Sequence, residues 1–215
     1  MASIFPDIRP AGLGQRELAD VICQLLRSLN GICAKLDADG GVTDTDYQAN
    51  CVTALINLSA TDSIGNRFSN GATASSSLED HHIISPTGIS DPALLAFLYQ
   101  YTNAFETMCE QLDADGTVSG TTFEANCYTA KFLHLVENQF GNTLGNGTSF
   151  KFRAGGVMPQ RELVEWLYNA VDAIETLTEQ LDADGGVTDT NYESLWFTAI
   201  ILHRIENGAG STVGN

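Results

Sequence analysis

Six aspartates in three copies of one acidic motif are the residues of this chain best suited to chemistry. The motif reads Leu-Asp-Ala-Asp-Gly and begins at Leu36, Leu112 and Leu181. Its longer form, Asp-x-Asp-Gly-x-Val, overlaps the EF-hand loop, in which alternate carboxylates coordinate Ca²⁺. The candidate metal ligands are therefore the two aspartates of each copy: Asp37, Asp39, Asp113, Asp115, Asp182 and Asp184.

The calcium interpretation lacks two important ligands in every copy. When Gly40 takes the invariant glycine position of an EF-hand loop, the first position falls on Lys35 and the last on Asp46. The other two copies place Gln111 and Gln180 first and Thr122 and Asn191 last. None of these supplies the bidentate glutamate that the site requires. We therefore predict no metal or other cofactor.

A turn followed by a helix start explains the same residues. Gly40 is predicted to end the first helix with a positive φ. Thr43 then caps a second helix with Asp46 three residues later, and Val42 packs against Tyr47 across the cap. The other two copies repeat this pattern.

Four cysteines form two pairs with equal spacing. The pairs are Cys33–Cys51 and Cys109–Cys127. They occupy equivalent positions in the first two repeats and have the same separation in sequence. The third copy has lost both cysteines together, to Thr178 and Trp196. The alternatives are a disulfide near each hairpin tip and two small apolar side chains packed in the hairpin neck. The remaining Cys23 is predicted to lie in the core.

The histidines point to no dedicated site. His134 and His203 are equivalent and are predicted to lie on partly exposed helix faces, and His81 and His82 are adjacent and so point in different directions. The sequence contains no phosphate-binding loop, dinucleotide fingerprint, nucleophile elbow or His-Glu-x-x-His motif. We therefore predict that the protein is not an enzyme.

A heptad pattern precedes each acidic motif and predicts a long helix. The copies recur at the spacing of small subdomains, and six apolar or aromatic positions repeat in each with spacings 4-3-4-3-4. These eighteen seam positions are Leu18, Ile22, Leu25, Leu29, Ile32, Leu36, Leu94, Leu98, Tyr101, Phe105, Met108, Leu112, Leu163, Leu167, Ala170, Ile174, Leu177 and Leu181. Second helices are expected at about residues 44–58, 120–138 and 189–207. The predicted fold is all-α, with three αα-hairpins packed into one helical bundle.

The repeats divide the chain into arm, hairpins and connectors within one compact domain. Gly, Ser and Asn-rich connectors lie between the repeats, with short strands expected at residues 83–84 and 149–152. The predicted boundaries are an arm at 1–14, hairpins at 15–66, 91–142 and 159–215, and connectors at 67–90 and 143–158. The three hairpins pack together either within the monomer, with pseudo-threefold symmetry, or against neighbouring subunits.

The net charge of the chain limits the classes of partner that it can bind. The formal net charge is −17 over 215 residues. This charge disfavours binding to nucleic-acid phosphates and to anionic membrane surfaces. The first residues lack the basic and apolar regions of a secretory signal, and no apolar run is long enough to span a bilayer. We expect no nucleic acid and no membrane among its partners.

The segment from Leu36 to Tyr47, following a leucine-rich helix, resembles a segment that recurs in small virion proteins of tailed bacteriophages. The other copies run from Leu112 to Phe123 and from Leu181 to Tyr192, so with the helix ends before them the resemblance covers a little over a quarter of the chain. It implies a structural protein of a phage particle, of the capsid-decoration, head-fibre or head-to-tail neck type. Its expected location is the virion, assembled in the host cytoplasm.

Assembly is the expected mode of action. Apolar residues flank the seams, and Trp166, Trp196 and Phe197 crowd the third repeat. We therefore expect a homo-oligomer, a trimer first, that also contacts other virion proteins. The alternative functions are a cytosolic helical module that binds Ca²⁺ or another ligand, and a small accessory enzyme.

Overall fold

A computed structural model of the chain describes residues 7–70, 82–148 and 150–215. It contains three copies of one unit, each made of a long helix, a short helix of π type and a small β-sheet. The long helices are α1 (Gln15–Leu36), α2 (Asp91–Ala114) and α3 (Gln160–Ala183). The short helices are π1 (Gln48–Thr53), π2 (Glu124–Thr129) and π3 (Glu193–Thr198). The strands are β1 (Leu58–Thr61), β2 (Arg67–Ser69), β3 (His82–Ile84), β4 (Leu135–Glu137), β5 (Thr143–Leu144), β6 (Lys151–Phe152), β7 (Ile205–Glu206) and β8 (Thr212–Val213).

The three long helices confirm the heptad prediction. All eighteen predicted seam positions are buried, and they belong to one continuous core rather than to three. Large aromatic side chains fill this core where α2 meets α3, with the rings of Phe97 and Trp166 packed edge to face at 5.6 Å. None of the helices in the described ranges is long and apolar enough to cross a membrane.

The prediction of an all-α fold is wrong. Of the residues that the structure describes, 46% are helical and 12% lie in strands, which form three small sheets. The predicted second helices are only six residues long, at π1, π2 and π3. The chain then leaves the helix and enters β1, β4 and β7. The sheets, rather than longer helices, complete each unit.

Alternating burial explains why strands replace the ends of the predicted helices. Ile56, Leu58 and Ala60 are buried in the first repeat, as are their equivalents Phe132, His134 and Val136 and Ile201, His203 and Ile205. In the second and third repeats the residues between them are less buried, whereas in the first Ser59 is buried as well. Burial at every second residue is the strand period of two, whereas a helix would turn successive members of the set to different sides.

A repeated turn closes a β-hairpin after each of these strands. In the first, the Asp62 side chain accepts hydrogen bonds from the backbone N–H groups of Ile64 and Asn66 at 3.1 and 2.7 Å. Gly65 has a φ of +89°, which favours glycine because it has no Cβ. Asn138 with Gly141 and Asn207 with Gly210 repeat this turn.

The sheets join the three units into a closed ring. The strand before each long helix pairs in parallel with the first strand of the preceding unit, so β3 pairs with β1 and β6 with β4. Ile8, before α1, forms the equivalent parallel bridge to Ile205 of the third unit. The backbone N–H of Ile8 donates to the Arg204 carbonyl at 2.8 Å. Pseudo-threefold packing is therefore completed within the monomer.

The connectors contain the short strands that the sequence predicts. Strand β3 covers the expected pair at 83–84, and β6 covers the end of the expected run at 149–152. Ser149 and His81 lie outside the described residues.

Candidate functional site

The acidic motifs lie together at the end of the ring where the long helices finish. We call residues 37–47, 113–123 and 182–192 the tip ring. Its backbone would leave many N–H groups without partners, because the chain between α1 and π1 forms no regular structure. The six predicted candidate aspartates supply the acceptors.

The first aspartate of each motif caps the short helix of its own unit. The Asp37 carboxylate accepts from the backbone N–H groups of Tyr47 at 2.7 Å and Gln48 at 3.0 Å. Asp113 and Asp182 make the same pair of bonds, at 2.7 and 3.0 Å and at 2.6 and 3.0 Å. A carboxylate at a helix N-terminus is also favoured by the helix dipole.

The second aspartate of each motif reaches into a neighbouring unit. Asp39 accepts from the backbone N–H groups of Thr188 and Asp189, both at 3.0 Å. Asp115 accepts from those of Thr43 and Asp44 at 3.0 and 2.8 Å. Asp184 does the same with Ser119 and Gly120, at 2.9 and 2.6 Å. The three contacts run from unit 1 to unit 3, from unit 3 to unit 2 and from unit 2 to unit 1, and so form a cycle.

These contacts correct the predicted helix cap. Thr43 does not start the second helix, because π1 begins at Gln48 and the cap is the carboxylate of Asp37. Gly40 does not take a positive φ, and among the described residues this conformation belongs to glycines outside the tip ring. Val42 and Tyr47 are both buried, and their packing against each other stays a prediction.

Hydrogen bonding keeps these carboxylates ionised. Burial by itself raises the pKa of Asp39, but four hydrogen bonds from Thr188, Gly41 and Asp189 outweigh it and lower the pKa to about 2. Asp115 has a pKa of about 2 for the same reasons, with Thr117 as the leading donor. The pKa of Asp184 is also lowered, by backbone donors that outweigh its burial.

The residue at the last turn of each long helix strengthens the same cycle. Lys35 forms a salt bridge with Asp189 of unit 3, and its ammonium lies 4.9 Å from the centre of the Tyr192 ring. The equivalent Gln111 donates to Asp46 of unit 1 at 2.7 Å, and Gln180 donates to Thr122 of unit 2 at 3.4 Å. Each tip therefore joins the same neighbour through two independent contacts.

The second glycine of the motif lets the tips approach closely. A Cβ at Gly41 would lie 2.2 Å from the Gly186 carbonyl oxygen, and one at Gly186 would lie 1.8 Å from that of Thr117. The middle repeat has Thr117 at this position, where its hydroxyl lies 3.0 Å from that of Thr43. This contact accounts for the departure of the middle copy from the other two.

The structure places all six candidate metal ligands in hydrogen bonds to backbone N–H groups. Each carboxylate accepts bonds through both of its oxygens. Over residues 7–70, 82–148 and 150–215, no group of three or more His, Cys, Asp or Glu side chains is arranged to hold a metal ion. All six carboxylates are therefore bonded by the backbone of the chain itself.

The cysteines lie in the core as free thiols. All five are buried, and Cys23 is fully buried as predicted. A hydrogen bond with Cys51, together with burial, raises the pKa of Cys33 well above its ordinary value, and the Cys33 sulfur also lies 3.7 Å from the Met108 sulfur. In unit 3 the replacement Trp196 packs on α1, where a Cβ at Gly31 would lie 2.2 Å from its ring. The disulfides Cys33–Cys51 and Cys109–Cys127 remain predictions.

Two histidines are buried, which contradicts the prediction of partly exposed helix faces. His134 is 6% exposed, with Nε2 3.1 Å from Glu162, and His203 is fully buried, with Nε2 3.5 Å from Asp20. Both lie between strands and a long helix because their segments are extended rather than helical. His82 lies in β3.

Comparison with known proteins adds no relative. No family model, no curated protein and no solved structure matches the chain.

Proposed function

We propose that this chain is a non-enzymatic structural protein of a tailed-bacteriophage particle, acting by protein–protein assembly as a capsid decoration, head-fibre or head-to-tail neck component. The observation that supports this proposal is the cycle of contacts from Asp39, Asp115 and Asp184 to the neighbouring tips. The most distinctive residues of the sequence serve to hold the ring closed.

The surface of the protein supports assembly. Ile64 and Phe140 occupy equivalent positions on two hairpin turns and are 59% and 55% exposed. Because they recur at one repeat position, we choose these two side chains as the candidate contacts of a symmetric assembly. We propose that the protein forms a homo-oligomer, a trimer first, and contacts other virion proteins. The negative charge keeps it away from nucleic acid and anionic lipid.

The location is tested by mass spectrometry of particles purified on a density gradient from cells that carry the gene. We expect the chain to co-purify with the major capsid protein in a fixed ratio, and immunogold labelling to place it on the head or neck. Its absence from washed particles, with the chain present in the soluble lysate, would contradict the proposal.

The oligomeric state is tested by light scattering of the purified protein. A trimer would give three times the chain mass of 23.1 kDa. A double variant, Ile64→Ser with Phe140→Ser, tests whether these side chains form the contact. It should shift the measured mass towards that of a single chain. A monomer at every concentration would contradict self-association.

A helical module that binds Ca²⁺ is the second candidate, and the acidic motifs are the observation that favours it. Calorimetric titration distinguishes the two. A Ca²⁺ affinity in the micromolar range that Asp39→Asn abolishes would support this candidate against the structural role.

A further inference from the structure

A cavity of about 440 Å³ opens beside the middle unit, and nothing in the tip ring explains it. It lies between the outer face of α2, the turn after β4 and the segment that leads from β6 to α3. The lining residues used below are Leu95, Ala96, Tyr99, Gln139, Arg153 and Met158. Its volume is in the range of small-molecule sites.

The other two units show what normally occupies this place. Ala96 follows Asp20 by the interval that separates the first two acidic motifs, and Glu165 follows Ala96 by the interval that separates the second from the third. The three positions are therefore equivalent. Asp20 accepts from the backbone N–H of Ser63 at 2.5 Å and from its hydroxyl at 2.8 Å. Glu165 accepts from the backbone N–H of Gly208.

Those two carboxylates join a long helix to a hairpin turn. Ser63 and Gly208 are equivalent to Gln139 of the middle unit, which lines the cavity. In the middle unit this position supplies only the methyl group of Ala96, so its carboxylate is missing and the cavity lies beside it. The three copies thus act as controls for one another.

The chemistry of the walls suits an anionic group with an apolar body. Arg153 is exposed, and within the described residues it forms no ion pair or side-chain hydrogen bond. His82 also lines the cavity, and among the described residues of the lining Asp91 is the one acidic side chain. Leu95, Tyr99 and Met158 supply apolar surface, and Leu95 is only 6% exposed. An unpaired guanidinium is well suited to a carboxylate.

We propose that this cavity binds a small organic carboxylate, with its anionic group beside Arg153 where Asp20 and Glu165 stand in the other units, and its apolar body against Leu95, Tyr99 and Met158. This site is independent of the tip ring and of the proposed role in a phage particle.

The test uses hexanoate as the probe and hexanamide as its neutral counterpart, followed by amide chemical shifts in two-dimensional NMR of the full chain. We expect hexanoate to shift the amides of Gln139 and Gly155, which line the cavity. Hexanamide should bind at least about tenfold more weakly, the factor that corresponds to loss of one charged hydrogen bond of about 1.4 kcal/mol.

Two variants make the test specific. Ala96→Glu supplies the carboxylate that Glu165 supplies in the third unit, and it should abolish hexanoate binding without lowering the melting temperature. Arg153→Gln should weaken hexanoate about tenfold and leave hexanamide unchanged. The matched control is Ala125→Glu, at an exposed position in π2, which should bind like the parent.

Three results would overturn the proposal. They are no shift at the lining residues up to about 10 mM hexanoate, equal affinity for hexanoate and hexanamide, or unchanged binding in a folded Ala96→Glu variant. None of these outcomes bears on whether the chain is found in phage particles.

Discussion

The carboxylate of Asp39 accepts a hydrogen bond from the backbone N–H of Thr188 at 3.0 Å, although 149 residues separate them in the chain. The hydroxyl of Thr188 donates to the same carboxylate at 2.5 Å. Asp39 is 4% exposed, so these are bonds of a buried charge. Together with the contacts of Asp115 and Asp184, this relationship joins the three tips in a closed cycle of hydrogen bonds.

We predict that Asp39→Asn destabilises the protein by about 1.5–3 kcal/mol, because it removes the charge from hydrogen bonds that join units 1 and 3. Urea unfolding followed by circular dichroism measures the change. The control is Glu110→Gln, which removes the same charge from an exposed side chain and should change stability by less than about 0.5 kcal/mol. Equal effects of the two substitutions would contradict the role of Asp39.

Stability should fall as the pH drops from about 4 to about 2. The pKa of Asp39 and of Asp115 is about 2 in the folded protein, below the ordinary value of 3.8. A lowered pKa contributes stability above the unfolded value and loses it as the carboxylate protonates, by about 2 kcal/mol for each group. Urea unfolding at pH 6 and pH 3 should show a smaller loss in Asp39→Asn than in the parent. An identical loss in both proteins would show that Asp39 is not a source of the acid sensitivity.

Neighbouring glycines of one motif should tolerate alanine very differently. At Gly41 a Cβ would lie 2.2 Å from the Gly186 carbonyl oxygen, whereas at Gly40 nothing lies within 4 Å. Neither residue has a positive φ, so backbone conformation does not separate them. We expect Gly41→Ala to cost about 1–3 kcal/mol through overpacking and Gly40→Ala to be nearly neutral. Thermal unfolding of both variants and the parent measures the difference. An unchanged melting temperature in Gly41→Ala would mean that the tips do not touch.

The cysteine pairs should form disulfides when the protein is oxidised. A disulfide requires Cβ atoms about 3.5–4.5 Å apart, and all four thiols are buried in one core. We expect Cys33–Cys51 and Cys109–Cys127 to be linked in particles analysed by mass spectrometry without reductant. Cys23 serves as the internal control, because its thiol contacts the carbonyls of Ala60 and Asn66 and it should remain alkylatable. Recovery of Cys33 and Cys51 as alkylated thiols would reduce them to packed core residues.

The long helices are predictable because their signal is local. Six seam residues at heptad spacing specify each helix without knowledge of its neighbours. The strands are harder to predict because Leu55, Ile56 and Leu58 also fit a helical period, which hides the alternation of Ile56, Leu58 and Ala60. A signal for them does exist, since Asp62, Asn138 and Asn207 recur at the repeat spacing with a glycine three residues later.

The roles of the aspartates are only partly predictable. The sequence indicates that Asp37 and Asp39 lie near a helix start, but the partners of Asp39 belong to another repeat. Contact across 149 residues depends on how three units pack in a ring, and no spacing within one motif encodes that order. The carboxylate of Asp20 and its absence at Ala96 become meaningful only when the turns at Ser63 and Gln139 are located.

Amide hydrogen exchange by NMR tests the ring of acidic caps most directly. Thr188 and Asp189 lie in an irregular loop, where only the bonds to Asp39 would protect their amides from exchange with solvent. We predict slow exchange at both residues in the parent. In Asp39→Asn we predict loss of protection at both, with protection kept at Thr43 and Ser119, which bond to Asp115 and Asp184. Exchange of Thr188 and Asp189 at the unprotected rate in the parent protein would contradict the cyclic capping of the three tips.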